Sequence, residues 1–587
     1  MAGLHVNLED VSTILSTSNE ANSDLYGLVD MGSNGIRFSI SDLRPPSSRL
    51  LTCIYHERTK ISLYDALHGS SHNSKPYYFS EQTIAQVAET LGRFQNICVA
   101  NHVPPENILI FATEAMRTAK NQDEMLDAIR KTTGLAVKIL TPQVETLFGA
   151  MGARSGFAQV DGLLMDLGGG SVQITYVNSS LGPNYEFLSA EAAHSLPFGA
   201  ARLTEVMNDP TTVKSAQAEL QKLIKKSIES LVRKFPGLQA QFNSEDGVTI
   251  YFSGGGFRGY GSILMHTDPI QPYPISAIGG YSVPGSRFKK WPEMLLANKK
   301  AGQIFGLSKR RRHQFPAIAM VVDAVTQAIP RIKSTIFCTG GNREGLLLMK
   351  LPSQVREMDP FPLIPLPVTD QNPCTISSIV NLLMAAFPPT HSRSSAIFTP
   401  ELLSHVAYRI WIFQGLNDNP SRALYSAISE ARAALPSLTH DICAILALTL
   451  SARWGFDLGP VDLQVVQNLQ KIVGPEITWW CRYIGRACHF LSILFPTCPT
   501  DPEPLEKALR FEVISSKYLG KKEYTESIQL NVYLVRSLCQ GQLGGVSGQL
   551  KDVWKKIGKG LGDIPKLKVE IICIEQSVDL TPKYENL

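Results

Sequence analysis

The stretch YGLVDMGSNGIRFSI at residues 26–40 has the pattern of an apolar strand that ends in Asp30, a glycine-rich turn and a second strand. Residues 162–176, GLLMDLGGGSVQITY, repeat this pattern with Asp166 in the same place. A single copy is equally well explained as a tight β-hairpin, because short glycine-rich turns are common. Two copies, each between apolar strands, favour two similar lobes that face one another across a shared cleft.

The composition of the two turns is suited to phosphate. Glycine lets the backbone approach a ligand without a Cβ, and successive N–H groups form a nest for anions. An Asp at the end of a strand can hold a hydrated Mg²⁺ ion or orient a water molecule, and the forked guanidinium of Arg37 suits a phosphate. The candidate phosphate-binding residues of the two turns are Gly32, Ser33, Asn34, Arg37, Gly168, Gly169, Gly170 and Ser171.

Away from the turns, apolar strand-like runs alternate with helical stretches such as Glu81–Ala100, which is the pattern of an α/β protein. This pattern predicts a two-lobed domain over residues 24–350. The polar residues 1–23 lack clear periodicity, and we expect them to form a disordered tail.

The chain changes character after residue 350. Residues 351–374 are rich in proline, which ends helices and removes ladder donors, so they are predicted to be a linker. Residues 375–495 have mainly helical patterns. Residues 505–587 combine three strand-like runs with a basic, helix-like stretch around Trp554, which predicts a small α+β module.

Composition excludes several classes of protein. Of the 587 residues, 44% are hydrophobic, and the 44 glycines and 36 prolines are too few for a disordered or collagen-like chain. The net charge of +4 gives no basic field for nucleic acid, so no direct nucleic-acid partner is expected. No apolar run approaches the ~20 residues of a membrane span, so no membrane contact is expected.

The cysteines indicate the compartment. There are ten, and none has the spacing of a C-x-x-C motif or a metal finger. The first residues also lack the basic and apolar regions of a signal peptide. We therefore expect reduced thiols and a cytoplasmic location.

Several motifs follow the first turn in a fixed order. They are DMGSNGIR (30–37), ATEAMR (112–117), DLGGGS (166–171), SLPFGAARL (195–203), SGGG (253–256), GLSKRR (306–311) and GNREG (341–345). This series, over about residues 24–350, resembles the exopolyphosphatase/guanosine pentaphosphate phosphohydrolase (Ppx/GppA) family. The resemblance implies a duplicated actin-like (ribonuclease H-like) fold of the ATPase superfamily. The later motifs SARWG (451–455) and WWCRYIG (479–485) resemble a regulatory branch of the family that acts in mitochondria-to-nucleus signalling.

The resemblance implies roles for particular residues. Glu114, which follows the strand ILIFAT, would be the general base that activates water. The structural alternative is that its carboxylate only stabilises the start of a helix. The residues implied to hold Mg²⁺ are Asp30, Asp166 and Gln173. Those implied to contact phosphate or nucleotide are Gly254, Gly255, Arg117, Arg311 and Arg343. Arg117 is also spaced to pair with Glu114 on one helical face.

One departure from the family pattern bears on activity. Hydrolytic members continue the second turn as Gly-Gly-Gly-Ser-Thr-Glu, whereas this chain has Gln173 in place of the glutamate. A neutral amide weakens the hold on a hard cation, because hard cations prefer carboxylates. The sequence therefore favours a regulator that binds polyphosphate or a purine nucleotide and acts through cytoplasmic proteins, with weak or absent hydrolysis. An active Mg²⁺-dependent phosphohydrolase, a scaffold with a vestigial cleft, and a homodimer stay open.

Overall fold

The computed structural model describes residues 4–15, 23–68, 77–365, 371–388, 397–415, 419–455, 457–519, 524–535, 552–553 and 566–574. The chain divides into two compact units. The first comprises Met1–Pro269, Ser276–Leu363 and Ala434–Thr439, and the second comprises Ile270–Ile275, Ile364–Ala433 and His440–Leu587. None of the helices described has both the length and the apolar character that crossing a membrane requires.

Two six-stranded sheets form the centre of the first unit. Their strands, in chain order, are β1 (Leu4–Val6), β2 (Leu25–Gly32), β3 (Gly35–Asp42), β4 (Thr52–Arg58), β5 (Ile108–Ala112), β6 (Val137–Leu140), β7 (Asp161–Leu167), β8 (Val172–Asn178), β9 (His194–Leu196), β10 (Val248–Ser253), β11 (Ser282–Pro284) and β12 (Ile332–Phe337). The strand order is β1-β6-β5-β2-β3-β4 in one sheet and β11-β12-β10-β7-β8-β9 in the other.

Five strands of each sheet repeat one topology, while the edge strands β1 and β11 pair in opposite directions, parallel and antiparallel. In the first, the hairpin β2–β3 continues antiparallel into β4, while β5 lies parallel to β2 and β6 parallel to β5. In the second, β7–β8 continues into β9, while β10 lies parallel to β7 and β12 parallel to β10. The duplication expected from the two glycine-rich turns is therefore present, and each turn joins the first two strands of its own sheet.

Helices cover these sheets. They are α1 (Val11–Leu15), α2 (Leu63–His68), α3 (Glu81–Ala100), α4 (Glu114–Thr118), α5 (Gln122–Thr133), α6 (Pro142–Arg154), α7 (Tyr185–Glu191), α8 (Ala200–Val206), α9 (Pro210–Lys234), α10 (Pro236–Asn243), α11 (Gly254–His266), α12 (Gly285–Phe288), α13 (Trp291–Lys300), α14 (Lys309–His313), α15 (Phe315–Ala328), α16 (Asn342–Lys350) and α17 (Ser353–Arg356). The helix α3 has the bounds that its sequence pattern predicts.

The expectation of a disordered tail is wrong for residues 4–15. There β1 pairs in parallel with β6, and α1 follows it. Val6, Val11 and Ile14 are buried in a core cluster that contains residues of both sheets. These apolar side chains are isolated among polar neighbours, so their pattern in the sequence is too short to indicate an edge strand and a helical turn.

The second unit is mainly helical and ends in a three-stranded sheet. Its helices are α18 (Pro373–Met384), α19 (Pro400–Ala407), α20 (Asn419–Tyr425), α21 (Ala431–Ala434), α22 (His440–Arg453), α23 (Pro460–Leu494) and α24 (Glu503–Ala508), and a π-helical turn covers Ser426–Glu430. The strands β13 (Leu509–Leu519), β14 (Tyr524–Val535) and β15 (Lys566–Ile574) pair in that order. The helix expected around Trp554 lies outside the described residues.

Candidate functional site

The first glycine-rich turn is a two-residue hairpin turn. The register of β2 and β3 pairs Gly32 with Gly35 and places Asp30 directly opposite Arg37. Ser33 and Asn34 therefore form the tip. Gly35 has φ +150°, and a Cβ there would lie 3.0 Å from the carbonyl oxygen of Thr59, so a larger residue would not fit.

The second turn is anchored from behind by a helix. Asp166 lies opposite Gln173 in the register of β7 and β8, as Asp30 lies opposite Arg37 in the first lobe. The carbonyl groups of Gly168, Gly169 and Gly170 accept hydrogen bonds from backbone N–H groups at the start of α8, at 2.9–3.2 Å. A Cβ at Gly199 would overlap the carbonyl of Gly169, which explains the glycine in the motif SLPFGAARL.

Glu114 lies between the two turns. It is the first residue of α4, directly after β5. Ser33 Oγ donates a hydrogen bond to Glu114 Oε2 at 3.1 Å, and a Cβ at Gly170 would overlap the same oxygen. Thr118 Oγ1 holds the other carboxylate oxygen at 3.2 Å. The predicted general base therefore lies against both glycine-rich turns, although it is not among the residues that line the cleft.

Both strand-end aspartates line the cleft between the lobes. Asp30 is 6% exposed, and its Oδ1 atom is buried without a hydrogen-bond partner. Burial raises the pKa of Asp30, and the nearby guanidinium groups of Arg37 and Arg343 oppose this shift. Asp166 Oδ2 accepts a hydrogen bond of 2.6 Å from Ser253 Oγ.

Asp30 and Asp166 are the two carboxylates expected to hold a metal ion. Across the described ranges, no three His, Cys, Asp or Glu side chains lie close enough to hold a metal ion by themselves. Mg²⁺, however, is usually bound by one or two carboxylates together with substrate phosphates and water. The unpartnered oxygen of Asp30 fits that arrangement, with Asp166 as the second ligand.

Arginines give the cleft its charge. Five line it, which are Arg37, Arg58, Arg258, Arg310 and Arg311. In the described part of the chain, the side chains of Arg37 and Arg311 form neither a hydrogen bond nor a salt bridge. Burial and, to a smaller extent, the neighbouring arginines lower the pKa of Arg311 to about 9. An anion in the cleft would relieve this crowding of positive charge.

Two helices begin at the cleft and add partial positive charge. Gly254 and Gly255 start α11, and Asn342 starts α16. Gly254 has φ +79°, and its lack of a Cβ leaves room for Asp166. Helix N-termini favour anions, so both helices support phosphate binding here.

Two further predicted site residues, Arg117 and Arg343, are not among the residues that line the cleft, and a third, Gln173, has a partner that the sequence did not predict. Arg117 does not pair with Glu114; its guanidinium donates to Glu145 Oε2 at 2.8 Å and to the carbonyl of Leu140 at 2.6 Å. Arg343 lies 3.5 Å from Glu344, outside the lining of the cleft. Gln173 is beside Asp166 as predicted, but its amide donates to Ser171 Oγ at 2.7 Å.

Gln173 lines a second, smaller cavity of about 280 Å³, together with Glu145 and Asp166. Glu145 also lines the main cleft, and sequence reasoning missed it. It belongs to α6, where it has the spacing of an ordinary helical glutamate. The one indication in the sequence is that Glu145 lies three residues after Pro142, where a helix starts after β6.

Sequence reasoning also missed three of the cleft arginines. Arg310 donates to Asn34 Oδ1 at 2.8 Å and to Ser62 Oγ at 2.7 Å. Arg58 donates to the carbonyl of Asn34 at 3.0 Å. Arg258 donates to the carbonyl of Thr339 at 2.6 Å.

Comparison with known proteins decides the family. The model of the Ppx/GppA phosphatase family matches residues 40–354. The chain belongs to the Ppx/GppA phosphatase family. In this Ppx/GppA protein, residues 365–568 also match the model of the RTG2 C-terminal domain.

Individual relatives agree with this assignment. Retrograde regulation protein 2 of Saccharomyces cerevisiae is 31% identical over 82% of this chain and 81% of its own length. Exopolyphosphatase 1 of Mycobacterium leprae is 27% identical over 56% of this chain and 90% of its own length. Among solved structures, the Ppx/GppA family member of Aquifex aeolicus is 19% identical over 55% of this chain and 96% of that chain, with a TM-score of 0.41. The duplicated α/β fold that the two glycine-rich turns predict is confirmed by the repeated strand pairing of the two sheets.

Glu145 makes the stability of this Ppx/GppA protein depend on pH. Burial raises the pKa of Glu145 from its ordinary value of 4.5 to about 7, and Arg117 opposes that shift. The folded protein therefore binds the proton more tightly than the unfolded chain, so the free energy of unfolding falls as the pH rises from about 4.5 to 7. Between pH 5 and pH 8 the melting temperature of Glu145→Gln should therefore fall by a few degrees less than that of the parent.

The measurement is thermal unfolding of both proteins across that pH range. The pKa of Asp30 is also raised, and Asp30 interacts with Glu145, so the difference between the two proteins reports Glu145 together with its effect on Asp30. Parallel melting curves would mean that Arg117 keeps Glu145 ionised throughout.

Proposed function

We propose that the cleft binds a polyphosphate or a purine nucleotide, and that the bound state acts on cytoplasmic regulatory proteins. The observation that carries the proposal is the set of five arginines around two glycine-rich turns and two helix N-termini. Linear phosphates match this arrangement because they present many anionic oxygens to guanidinium and N–H donors. The space between the lobes, about 890 Å³ when counted to the open mouth of the cleft, is lined by these same residues.

The regulatory part of the proposal rests on likeness to retrograde regulation protein 2 and on Gln173. We propose a role in signalling from mitochondria to the nucleus, with weak or absent phosphohydrolase activity. Gln173 provides no carboxylate beside Asp166, and its amide is already bonded to Ser171. Asp30 and Asp166 would hold Mg²⁺ together with phosphate oxygens, where it would neutralise charge on the phosphates.

A second candidate function is an active exopolyphosphatase or nucleotide phosphohydrolase. The position of Glu114 favours it, since its carboxylate lies at both phosphate turns. The scaffold alternative is less well supported, because a vestigial cleft would have no reason to keep unpaired arginines beside two intact turns.

The test combines binding and turnover. Calorimetry with ATP, GTP, guanosine tetraphosphate and polyphosphate, with phosphate release followed in parallel, separates the three candidates. In Arg37→Ala, loss of one charge-assisted hydrogen bond is expected to weaken binding roughly 10- to 150-fold without unfolding the protein. Equal affinity for variant and parent would show that Arg37 does not bind the ligand. If the parent binds none of these anions, the scaffold alternative stands.

The change Gln173→Glu tests the departure from the family. It adds a carboxylate next to Asp166 and Glu145, so mutual repulsion is expected to lower the melting temperature without Mg²⁺. Added Mg²⁺ should restore stability, because a ligand that binds only the folded state stabilises it. The measurement is a Mg²⁺ titration of melting temperature for both proteins, with phosphate release as a second readout. An unchanged metal response would place residue 173 outside the reach of the metal.

A further inference from the structure

A short segment from the second half of the chain belongs to the first unit. Residues 434–439, ALPSLT, are part of that unit, although Ala433 and His440 on either side belong to the second unit. The segment lies inside the range that matches the RTG2 C-terminal domain. The N–H group of Leu438 donates to the carbonyl of Leu435 at 2.9 Å, and both leucines are buried. The segment is therefore packed into the first unit as a turn.

Glycines of the first unit make room for this segment. A Cβ at Gly156 would overlap the Cβ of Ser437, and a Cβ at Gly280 would overlap the carbonyl oxygen of Leu438. Gly280 also has φ +78°, a conformation that favours glycine. Ser437 is 3% exposed. Such close contact leaves the segment little freedom, so the position of the Ser437 side chain is well defined.

Ser437 contacts a residue that leads to the cleft. Its Oγ atom lies 2.5 Å from Oγ1 of Thr339, so the two hydroxyl groups share a hydrogen bond. Thr339 lies between β12 and the GNREG motif, and its carbonyl accepts a hydrogen bond of 2.6 Å from Arg258 Nη1. The side chain of Arg258 lines the cleft. Two hydrogen bonds, both made by Thr339, therefore connect the buried segment with the wall of the cleft.

The orientation of Arg258 depends on the carbonyl of Thr339. Among the described residues, no other acceptor is bonded to this guanidinium, and it forms no salt bridge. Burial and, to a smaller extent, Arg37 lower the pKa of Arg258 to about 10, while Asp166 opposes the shift. A long side chain that has to be ordered when a ligand binds lowers the affinity, and one that is already ordered raises it. Contacts that fix Thr339 therefore bear on the binding of anions.

We propose that Ser437 is a positioning residue for the cleft: by holding Thr339, it directs the guanidinium of Arg258 towards a bound phosphate group. This rests on the proposed function, in which the cleft binds phosphates. Ser437 itself touches no ligand. Because residues 434–439 are covalently continuous with the second unit on both sides, an event that draws Ser437 away would lower the affinity of the cleft without altering the residues that line it.

The first measurement is the affinity of the full-length protein for inorganic tripolyphosphate, determined by calorimetry. Ser437→Ala is expected to weaken binding roughly three- to tenfold, because it removes the hydroxyl group that holds Thr339. Ser227→Ala is the matched control, since Ser227 is also 3% exposed and its hydroxyl group bonds to the carbonyl of Leu223 within α9. This control should bind as the parent does.

A double-mutant cycle separates positioning from packing. Arg258→Gln removes the guanidinium, so Ser437→Ala should have no further effect on affinity in that background. The same loss in both backgrounds would mean that Ser437 acts on the fold and not through Arg258, which would overturn the proposal. Parental affinity in Ser437→Ala, or an equal loss in Ser227→Ala, would overturn it as well.

A second measurement needs no ligand and no change at Arg258. Phenylglyoxal modifies accessible guanidinium groups, and mass spectrometry gives the rate of modification at Arg258 in the unliganded protein. Ser437→Ala should raise this rate about threefold or more, because a loosened guanidinium is more accessible. The rate at Arg287, which bonds to the carbonyl of Leu264, should stay the same.

The two measurements keep the positioning role and the proposed function apart. If the parent binds no tripolyphosphate but the rate at Arg258 rises in Ser437→Ala, the proposed function fails and the positioning of Arg258 by Ser437 stands. An unchanged rate at Arg258 overturns the positioning role, whether or not the anion binds.

Discussion

Replacing Glu114 with glutamine is expected to lower the rate of phosphate release by a factor of 10² to 10⁴, the range that a positioned general base contributes. The amide keeps the shape and the contact with Ser33, but it has no basic oxygen to accept a proton from water. Binding should not suffer. Removal of a negative charge beside the phosphate turns is expected to leave the affinity for polyphosphate equal or to increase it.

The matched control is Glu81→Gln. Glu81 is also the first residue of a helix, α3, but it is exposed, whereas Glu114 is bonded to Ser33 of the first turn. The control should leave both release and affinity unchanged. If Glu114→Gln released phosphate at the parental rate, another group would be the base. If parent and variant both bind polyphosphate and neither releases phosphate, the regulatory function stands without an enzymatic one.

The change Gly345→Ala is expected to destabilise the first unit by about 3 kcal/mol, at the upper end of the range for overpacking. A Cβ at Gly345 would overlap the carbonyl oxygen of Phe148, where α16 crosses α6. Close approach continues along this crossing, because a Cβ at Gly152 would overlap the carbonyl of Gly341. Backbone atoms cannot move away by changing rotamer, so the two helices would have to separate.

Denaturant unfolding measures this effect, and Gly302→Ala serves as the control. A Cβ at Gly302 would meet nothing within 4 Å, so its midpoint should change little. Equal midpoints for the two variants would mean that α16 shifts along α6 at low cost. The motif GNREG therefore has a packing role in Gly345 that is separate from any contact with phosphate.

Local spacing was sufficient to predict the centre of the cleft. Asp30 and Arg37 are seven residues apart around a two-residue turn, and the same spacing separates Asp166 from Gln173. A hairpin turn fixes such pairs by its own geometry. Glu114 was predictable for a similar reason, since it directly follows a strand whose end must lie at the cleft edge.

The remaining cleft residues depend on contacts between distant parts of the chain. Arg58 ends β4, an edge strand of its sheet, and Arg258 lies in the second turn of α11. Nothing in their immediate sequence distinguishes them from arginines on a solvated surface. The partner of Arg117 was mistaken for the same reason: a helical spacing offered Glu114, but the fold brings Glu145 closer. Edge strand β1 was missed because sheet pairing, and not local periodicity, stabilises it.

Contacts between the two glycine-rich turns hold the turns together. Ser33 bonds to Glu114 against Gly170, and a Cβ at Gly169 would lie 2.7 Å from Asn34 Cγ, so the tips of the turns touch. A ligand that reaches the N–H groups of both turns at once has to part them. Its apparent affinity is then the intrinsic affinity multiplied by the fraction of molecules in which the two turns are already apart. A protein that holds the two lobes apart would raise the apparent affinity for phosphate without contacting the ligand.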